Sequence, residues 1–202
     1  MISVILLTGK KGVGKDEAAK YLMQKYAHLN PIRFAYGDRL KDITFQLLQS
    51  FYGKDLPIVR QDLDDPVKKE TEYSGYNFRG ETLVIRKVLQ YIGTEIFRKQ
   101  VDYNIWVSIV EKEILEISKH DTCRLIIITD CRFPNEIGGL ISSLYKQSNK
   151  FEFTSVRILR STGHVDTHES ENSVDNYPTD STILNNGTLD QFYEKLDRVI
   201  NI

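Results

Sequence analysis

Cysteine is nearly missing from this chain: only Cys123 and Cys131 occur in 202 residues. Two thiols cannot build the disulfide framework of a small secreted domain, and they are too few for a structural zinc site. Their scarcity points to a reducing compartment, the cytoplasm. An excess of one charge is lacking too, since 27 Lys and Arg face 28 Asp and Glu for a net charge of -1. Proteins that bind polymeric nucleic acid usually carry a basic excess, so the balance argues against that class. No apolar run is long enough to span a membrane. The opening stretch Ile2 to Leu7 is shorter than a signal peptide's hydrophobic region and has no basic lead-in. No internal repeat is visible. No Ser-His-Asp or Cys-His set offers an activated nucleophile. These absences leave one soluble domain, 1–202, long enough for a sizeable core.

What the chain does have is Gly9-Lys10-Lys11-Gly12-Val13-Gly14-Lys15-Asp16, directly behind that apolar run. The spacing is that of a phosphate-binding loop, G-x-x-x-x-G-K, with Asp where Ser or Thr is usual. Gly12 and Gly14 permit backbone conformations that a Cβ would obstruct. Successive N–H groups can then turn inward as an anion-binding nest. Ala18, Ala19, Leu22, Met23, Tyr26 and Ala27 recur at helical spacing, so a helix N-terminus adds further donors and partial positive charge. Lys15 would reach the β- and γ-phosphates of a nucleoside triphosphate, and Lys10 and Lys11 raise the local potential. A carboxylate at position 16 would repel phosphate unless a cation lies between them. Mg²⁺ accepts carboxylate and phosphate oxygens together, so Asp16 is a candidate metal contact. The plainer alternative is a favourable acidic charge at a helix N-terminus.

Strand and helix signals alternate along the chain. Strands are expected at Ile2 to Leu7, Ile32 to Ala35, Leu125 to Thr129, Phe153 to Leu159 and Thr182 to Leu184. Helices are expected at Asp38 to Phe51, Glu81 to Phe97 (bent near Gly93), Asn104 to Ser118, from Pro134, and at Asp190 to Ile200. Leu56 to Arg79 reads as a polar flap and Arg160 to Asp180 as a polar loop. Together these predict an α/β domain with a parallel central sheet, whose ligands sit at the C-terminal ends of the strands.

Asp130 ends the apolar strand at Leu125 to Thr129, and Arg132 follows two residues later. An acidic group there can hold Mg²⁺ or its waters in a phosphate-loop enzyme, and arginine binds phosphate bidentately. Read alone, the same residues fit a turn capped by Asp130, with Arg132 and Glu136 as a solvated pair. Trp106 fits a core anchor or a ring that stacks on a base.

Taken in order, several segments resemble the deoxynucleoside monophosphate kinases of phages and large DNA viruses. They are Gly9 to Asp16, Phe34-Ala35 with Lys41, Leu89 to Glu95 with Arg98, Asn104 to Val107, and Thr129 to Glu136. Asp166, His168, Ser170 and Glu171 follow, then Asn185 to Leu189. The resemblance runs from end to end, and Asp16 matches the family's own usage.

It implies a three-layer P-loop kinase fold with helices on both faces of the sheet, an acceptor-binding insertion at about 38–118 and a lid at about 160–180. It implies transfer of the γ-phosphoryl of ATP to a deoxynucleoside monophosphate, with Mg²⁺. On that reading Lys11, Gly12, Val13, Gly14, Lys15 and Asp16 hold ATP, and Asn185 and Gly187 lie near adenine. Asp16 and Asp130 hold the metal. Lys15, Asp130, Arg132 and Arg160 serve the transfer. Lys41, Gln90, Arg98, Trp106, Arg132, Asp166, His168, Ser170 and Glu171 bind the acceptor. Tyr36-Gly37 lengthens the segment before Lys41 relative to the family pattern, and the flap at 56–79 matches poorly, so base selectivity does not carry over. A homodimer, no membrane partner and, for a viral chain, the host cytoplasm are further implications.

The chemistry fits the residues. Phosphoryl transfer asks for positioning and charge neutralisation, and a phosphate monoester with a second pKa of about 6 needs no strong base at neutral pH. A phosphomevalonate-type kinase and a non-catalytic triphosphate switch are the competing readings. The first offers no base to recognise, and the second needs no acceptor site.

Overall fold

The computed structural model describes residues 1–120, 122–161 and 168–202. Its strands are β1 Ile2–Thr8, β2 Ile32–Phe34, β3 Glu72–Phe78, β4 Glu81–Val84, β5 Leu125–Cys131, β6 Phe151–Leu159 and β7 Ser181–Leu184. Its helices are α1 Lys15–Lys25, α2 Tyr36–Tyr52, α3 Ile85–Gln90, α4 Ile105–Ser118, α5 Leu140–Gln147, α6 Glu169–Asn172 and α7 Leu189–Val199. Two π-helical stretches join these, Tyr91–Val101 after α3 and Asn135–Gly139 before α5. The chain divides into two compact units, Met1–Tyr36 with Trp106–Ile202, and Gly37–Ile105.

The first unit is an α/β fold on a five-stranded parallel sheet in the order β2-β5-β1-β6-β7. β1 and β5 are apolar on both faces because both are covered: Val4, Leu6, Ile126 and Ile128 are as buried as Ile5, Leu7 and Ile127. On one face Ile5, Leu7, Ile127, Val156 and Ile158 pack with Ala18, Ala19 and Leu22 of α1 and Phe192 and Leu196 of α7. The apolar spacing of those helices buries that stripe. The strand order also locates a site. Beyond β1 the chain goes first to one side of it, through β2 and β5, and then to the other, through β6 and β7. The C-terminal end of β1 is therefore the topological switch point, where open α/β sheets bind ligands.

The second unit corrects two expectations. Glu81–Val84 is a strand, not the start of a helix; β3 and β4 form an antiparallel hairpin. Its turn is Arg79-Gly80, with φ of +57° and +83°, the left-handed pair that matches hairpin twist. The helix begins at Ile85, and α geometry gives way to π at Tyr91. The flap is not merely polar either. Leu56, Ile58, Leu63 and Tyr73 are buried and pack with Leu48, Leu83, Ile85, Val88 and Ile92 as a second core. The spacing of Gly93 now has a reason: a Cβ there would meet Leu40 Cδ2 at 2.6 Å.

Two smaller differences concern the first unit. β5 runs on to Cys131, so Asp130 lies within the strand. The segment after Arg160 includes α6 and a buried Val174. Both cysteines are buried and free. No helix among the described residues is long and apolar enough to cross a membrane.

Candidate active site

The loop between β1 and α1 sits at the switch point. Gly9 has φ of +139°, and a Cβ on it would lie 2.3 Å from the Ile158 carbonyl oxygen. Gly14 precedes α1 with φ of +107°, and a Cβ there would lie 2.7 Å from Asn185 Nδ2. Only glycine combines these left-handed conformations with such close approach. The loop therefore hugs the ends of β6 and β7, and α1 starts with its N–H groups at the end of β1.

Lys15, the first residue of α1, is buried. Its Nζ donates to the carbonyls of Gly9 at 2.6 Å and Lys10 at 2.8 Å. Burial pushes its pKa down to about 8, and the Arg132 guanidinium adds to the shift. Asp16, Asp130 and Cys131 oppose it. One ammonium thus feels Arg132, Asp16 and Asp130 together, although these come from α1, β5 and the turn after β5. The structure brings together four residues that the sequence singled out separately. Asp16 is exposed at the start of α1, and Asp130 and Arg132 are partly exposed.

Two residues to which the sequence reading gave no site role hold this arrangement. Glu136 is not solvated but buried, and its Oε2 accepts from Arg132 N at 2.6 Å and Phe133 N at 3.0 Å. It stands three residues after Phe133 with Pro134 between them, the reciprocal half of a capping box, so the signal was in the sequence. Tyr36 donates its N–H to Asp130 Oδ1 at 2.7 Å and its hydroxyl to the Glu136 carbonyl at 2.6 Å. The residue that lengthened the segment before Lys41 therefore fixes the carboxylate at the end of β5. Thr8 Oγ1 donates to the Cys131 carbonyl at 2.8 Å, tying β1 to β5 beside the loop. The Cys131 thiol is pushed well up, chiefly by burial.

The other candidates are distributed. Asn185 is buried and donates Nδ2 to the Val13 carbonyl at 2.9 Å. Gly187 is exposed, where a Cβ would meet Gln191 Oε1 at 2.1 Å, beside the Thr188–Gln191 capping box of α7. Lys10 pairs with Asp175 at 3.1 Å. Lys11 is partly buried, and Arg160 is exposed at the end of β6. His168 caps α6, its Nδ1 2.8 Å from Ser170 Oγ. Glu171 lies in α6, and Asp166 falls outside the described residues. Trp106 is buried on α4 with Val107, Val110 and Ile114, as a core anchor would be.

In the second unit Arg98 is buried and donates to the Tyr103 carbonyl at 3.2 Å. Gln90 closes α3, partly exposed. Lys41 is held by Asp64 at 2.8 Å and Asp38 at 3.1 Å, and Arg60 by Asp42 at 2.6 Å and Asp64 at 2.7 Å.

A parallel sheet with a glycine-rich loop at its switch point, a lysine at the head of the following helix, an acid on the neighbouring strand and an arginine in the turn after it are consistent with a P-loop kinase. Residues 67–196 match the family model described as deoxynucleotide monophosphate kinase. That is well over half of the chain, and the chain belongs to this family. It is a phosphotransferase of deoxynucleotide metabolism, a kinase that uses ATP and acts on nucleotide substrates. Over 207 aligned positions it is 27% identical to a protein of Acanthamoeba polyphaga mimivirus provisionally named a deoxynucleotide monophosphate kinase, covering 96% of this chain and 93% of that one. Over 73 positions it is 36% identical to the deoxynucleoside-5'-monophosphate kinase of Escherichia phage T5, covering 36% of this chain and 26% of that one.

Proposed function

We propose that Gly12 to Asp16 hold the triphosphate of ATP while Lys15 and Arg132 carry the transferring phosphoryl group. The observation behind this reading is the grouping of Asp16, Asp130 and Arg132 around the buried Lys15 ammonium at the switch point. Phosphoryl transfer passes through a loose transition state whose charge spreads over the equatorial oxygens. Fixed positive groups that already face this charge lower the barrier without reorganising. Lys15 must exchange the Gly9 and Lys10 carbonyls for phosphate oxygens, a favourable trade because a charged acceptor makes the stronger hydrogen bond. Arg132 has its backbone N–H held by Glu136, which fixes where its side chain leaves the turn after β5. The acceptor phosphate is already dianionic near neutral pH, so no side chain need remove a proton.

The residues also fit Mg²⁺. A hard cation that keeps several waters is usually bound by one or two carboxylates together with substrate phosphates. Asp16 and Asp130 supply such carboxylates, and both act on the Lys15 ammonium that would lie at the phosphates. When bound, the ion would neutralise phosphate charge. Asp130 is steadied for this role by the Tyr36 N–H.

For the acceptor we propose the 37–105 unit as the binding insertion, with Arg98 and Gln90 as its contacts, while Trp106 serves as a core anchor of α4. Lys41 can serve an acceptor phosphate only by leaving Asp38 and Asp64. Arg160, His168, Ser170, Asp166 and Glu171 belong to the proposed lid at about 160–180. A homodimer remains part of the proposal on resemblance alone.

The test is ADP formation from ATP and Mg²⁺ with a panel of nucleoside and deoxynucleoside monophosphates and a mevalonate phosphate. Turnover that requires a deoxynucleotide and disappears in Lys15→Ala and Arg132→Ala is the expected result. Normal turnover in both folded variants would sink the site assignment.

A further inference from the structure

We infer that Asn185 is a positioning residue for the phosphate loop, acting on the loop backbone and not on the adenine ring. This rests on the reading that the loop holds the donor triphosphate. Asn185 follows β7, and its own N–H donates to the Leu159 carbonyl at 2.7 Å, which fixes it to the end of β6. Its side chain is buried and donates Nδ2 to the Val13 carbonyl at 2.9 Å. The same Nδ2 atom lies 2.7 Å from where a Gly14 Cβ would stand.

The consequence concerns peptide orientation. A peptide plane carries its carbonyl and the next residue's N–H on opposite sides. Holding the Val13 carbonyl against Asn185 turns the Gly14 N–H the other way. That N–H belongs to the nest from which triphosphate binding is expected. Gly14 can take its left-handed conformation without a donor, but glycine also permits many others. Asn185 selects one of them. Phe192 of α7 completes the support, with Cε1 at 3.4 Å from the same Cβ position. A buried amide spent on a backbone carbonyl is poorly disposed to read a base edge. Asn186 faces elsewhere: its Oδ1 accepts from Ser161 N at 3.0 Å.

Base contact and loop positioning separate when the base is removed. Binding of Mg²⁺-tripolyphosphate and of Mg²⁺-ATP should be measured by calorimetry on the wild-type chain and on Asn185→Ala. Asn185→Leu, which keeps the approximate shape and loses the donor without adding charge, is the second variant and replaces the first if that one does not fold. Both ligands should weaken by the same factor, about tenfold, the scale of one buried hydrogen bond. The KM for ATP should rise while the KM for the deoxynucleotide stays unchanged. A loss confined to ATP would make Asn185 a base contact and overturn the inference. A lower melting temperature with unchanged affinity for both ligands would make its role structural and overturn it too. If the wild-type chain binds neither ligand, the donor reading itself fails, and this inference with it.

Discussion

Lys15 and Lys41 are both partly or wholly buried lysines, the first expected at the triphosphate and the second implied by resemblance at the acceptor, yet their surroundings differ in kind. Lys15, in the unit of residues 1–36 and 106–202, gives its protons to backbone carbonyls, and burial lowers its pKa to about 8. Lys41, in the unit of 37–105, also loses solvent, but Asp64 and Asp38 outweigh that and raise its pKa. A lysine whose hydrogen bonds go to neutral carbonyls can exchange them for an incoming anion without breaking an ion pair. A lysine held by two carboxylates stays charged but is already paired, and phosphate must displace them. The comparison teaches that a cation's availability is set by what its neighbours have done with its charge, which residue spacing does not reveal.

The sharpest way to break the comparison is to remove each cation. Lys15→Ala and Arg132→Ala should each lower kcat by about 10³-fold, the scale of a cation lost from a phosphoryl-transfer site. Steady-state ADP formation on variants with wild-type circular dichroism checks this. Next in size is the support under Arg132. Glu136→Ala leaves the Arg132 and Phe133 N–H groups without their acceptor, and should cost about 2 kcal/mol, a fall in Tm of roughly 5 °C. Thermal melting without nucleotide measures it, and an unchanged Tm would show that Glu136 does not hold the turn.

The lowered pKa of Lys15 gives a pH prediction with two signs. Bound phosphate favours the charged amine, so ATP affinity should be flat below pH 8 and then weaken up to about tenfold per pH unit. Lys15→Arg should remove that slope, because guanidinium does not titrate there. Stability goes the other way. The unfolded chain binds the Lys15 proton more tightly than the folded one, so relative to Lys15→Met the wild type should gain stability as pH rises from about 8 toward 10.4. Titration calorimetry and urea melts across this range test the two halves.

The smallest effect is expected at the other lysine. Lys41→Met removes partly exposed ion pairs and should cost about 0.5 kcal/mol, with the acceptor KM within about twofold of wild type. A tenfold rise in that KM would show that Lys41 does exchange its carboxylates for phosphate, and would close the distance between the two lysines.

The legibility of the two units follows the same division. The strands of the parallel sheet were readable because strands buried on both faces must be apolar throughout, and the first loop because its glycines and lysine are fixed by local backbone geometry. Glu81–Val84 misled because its Leu83 and Val84 continue into an apolar helix, so periodicity could not find the boundary. The hairpin depends on Arg79 adopting a left-handed conformation that an asparagine or glycine would have advertised. Glu136 had a capping signature, but its burial beneath the turn had none.

The sequence by itself determined the family, the parallel α/β class and the glycine loop behind the first strand, because each depends on local order along the chain. The tertiary structure decided what those residues are free to do. It buried Lys15 beside Arg132, closed Lys41 onto two carboxylates, wired Tyr36 to Asp130 and turned Asn185 to the loop. Those outcomes depend on which groups far apart in sequence share one volume, where desolvation and Coulomb interaction compete at short range.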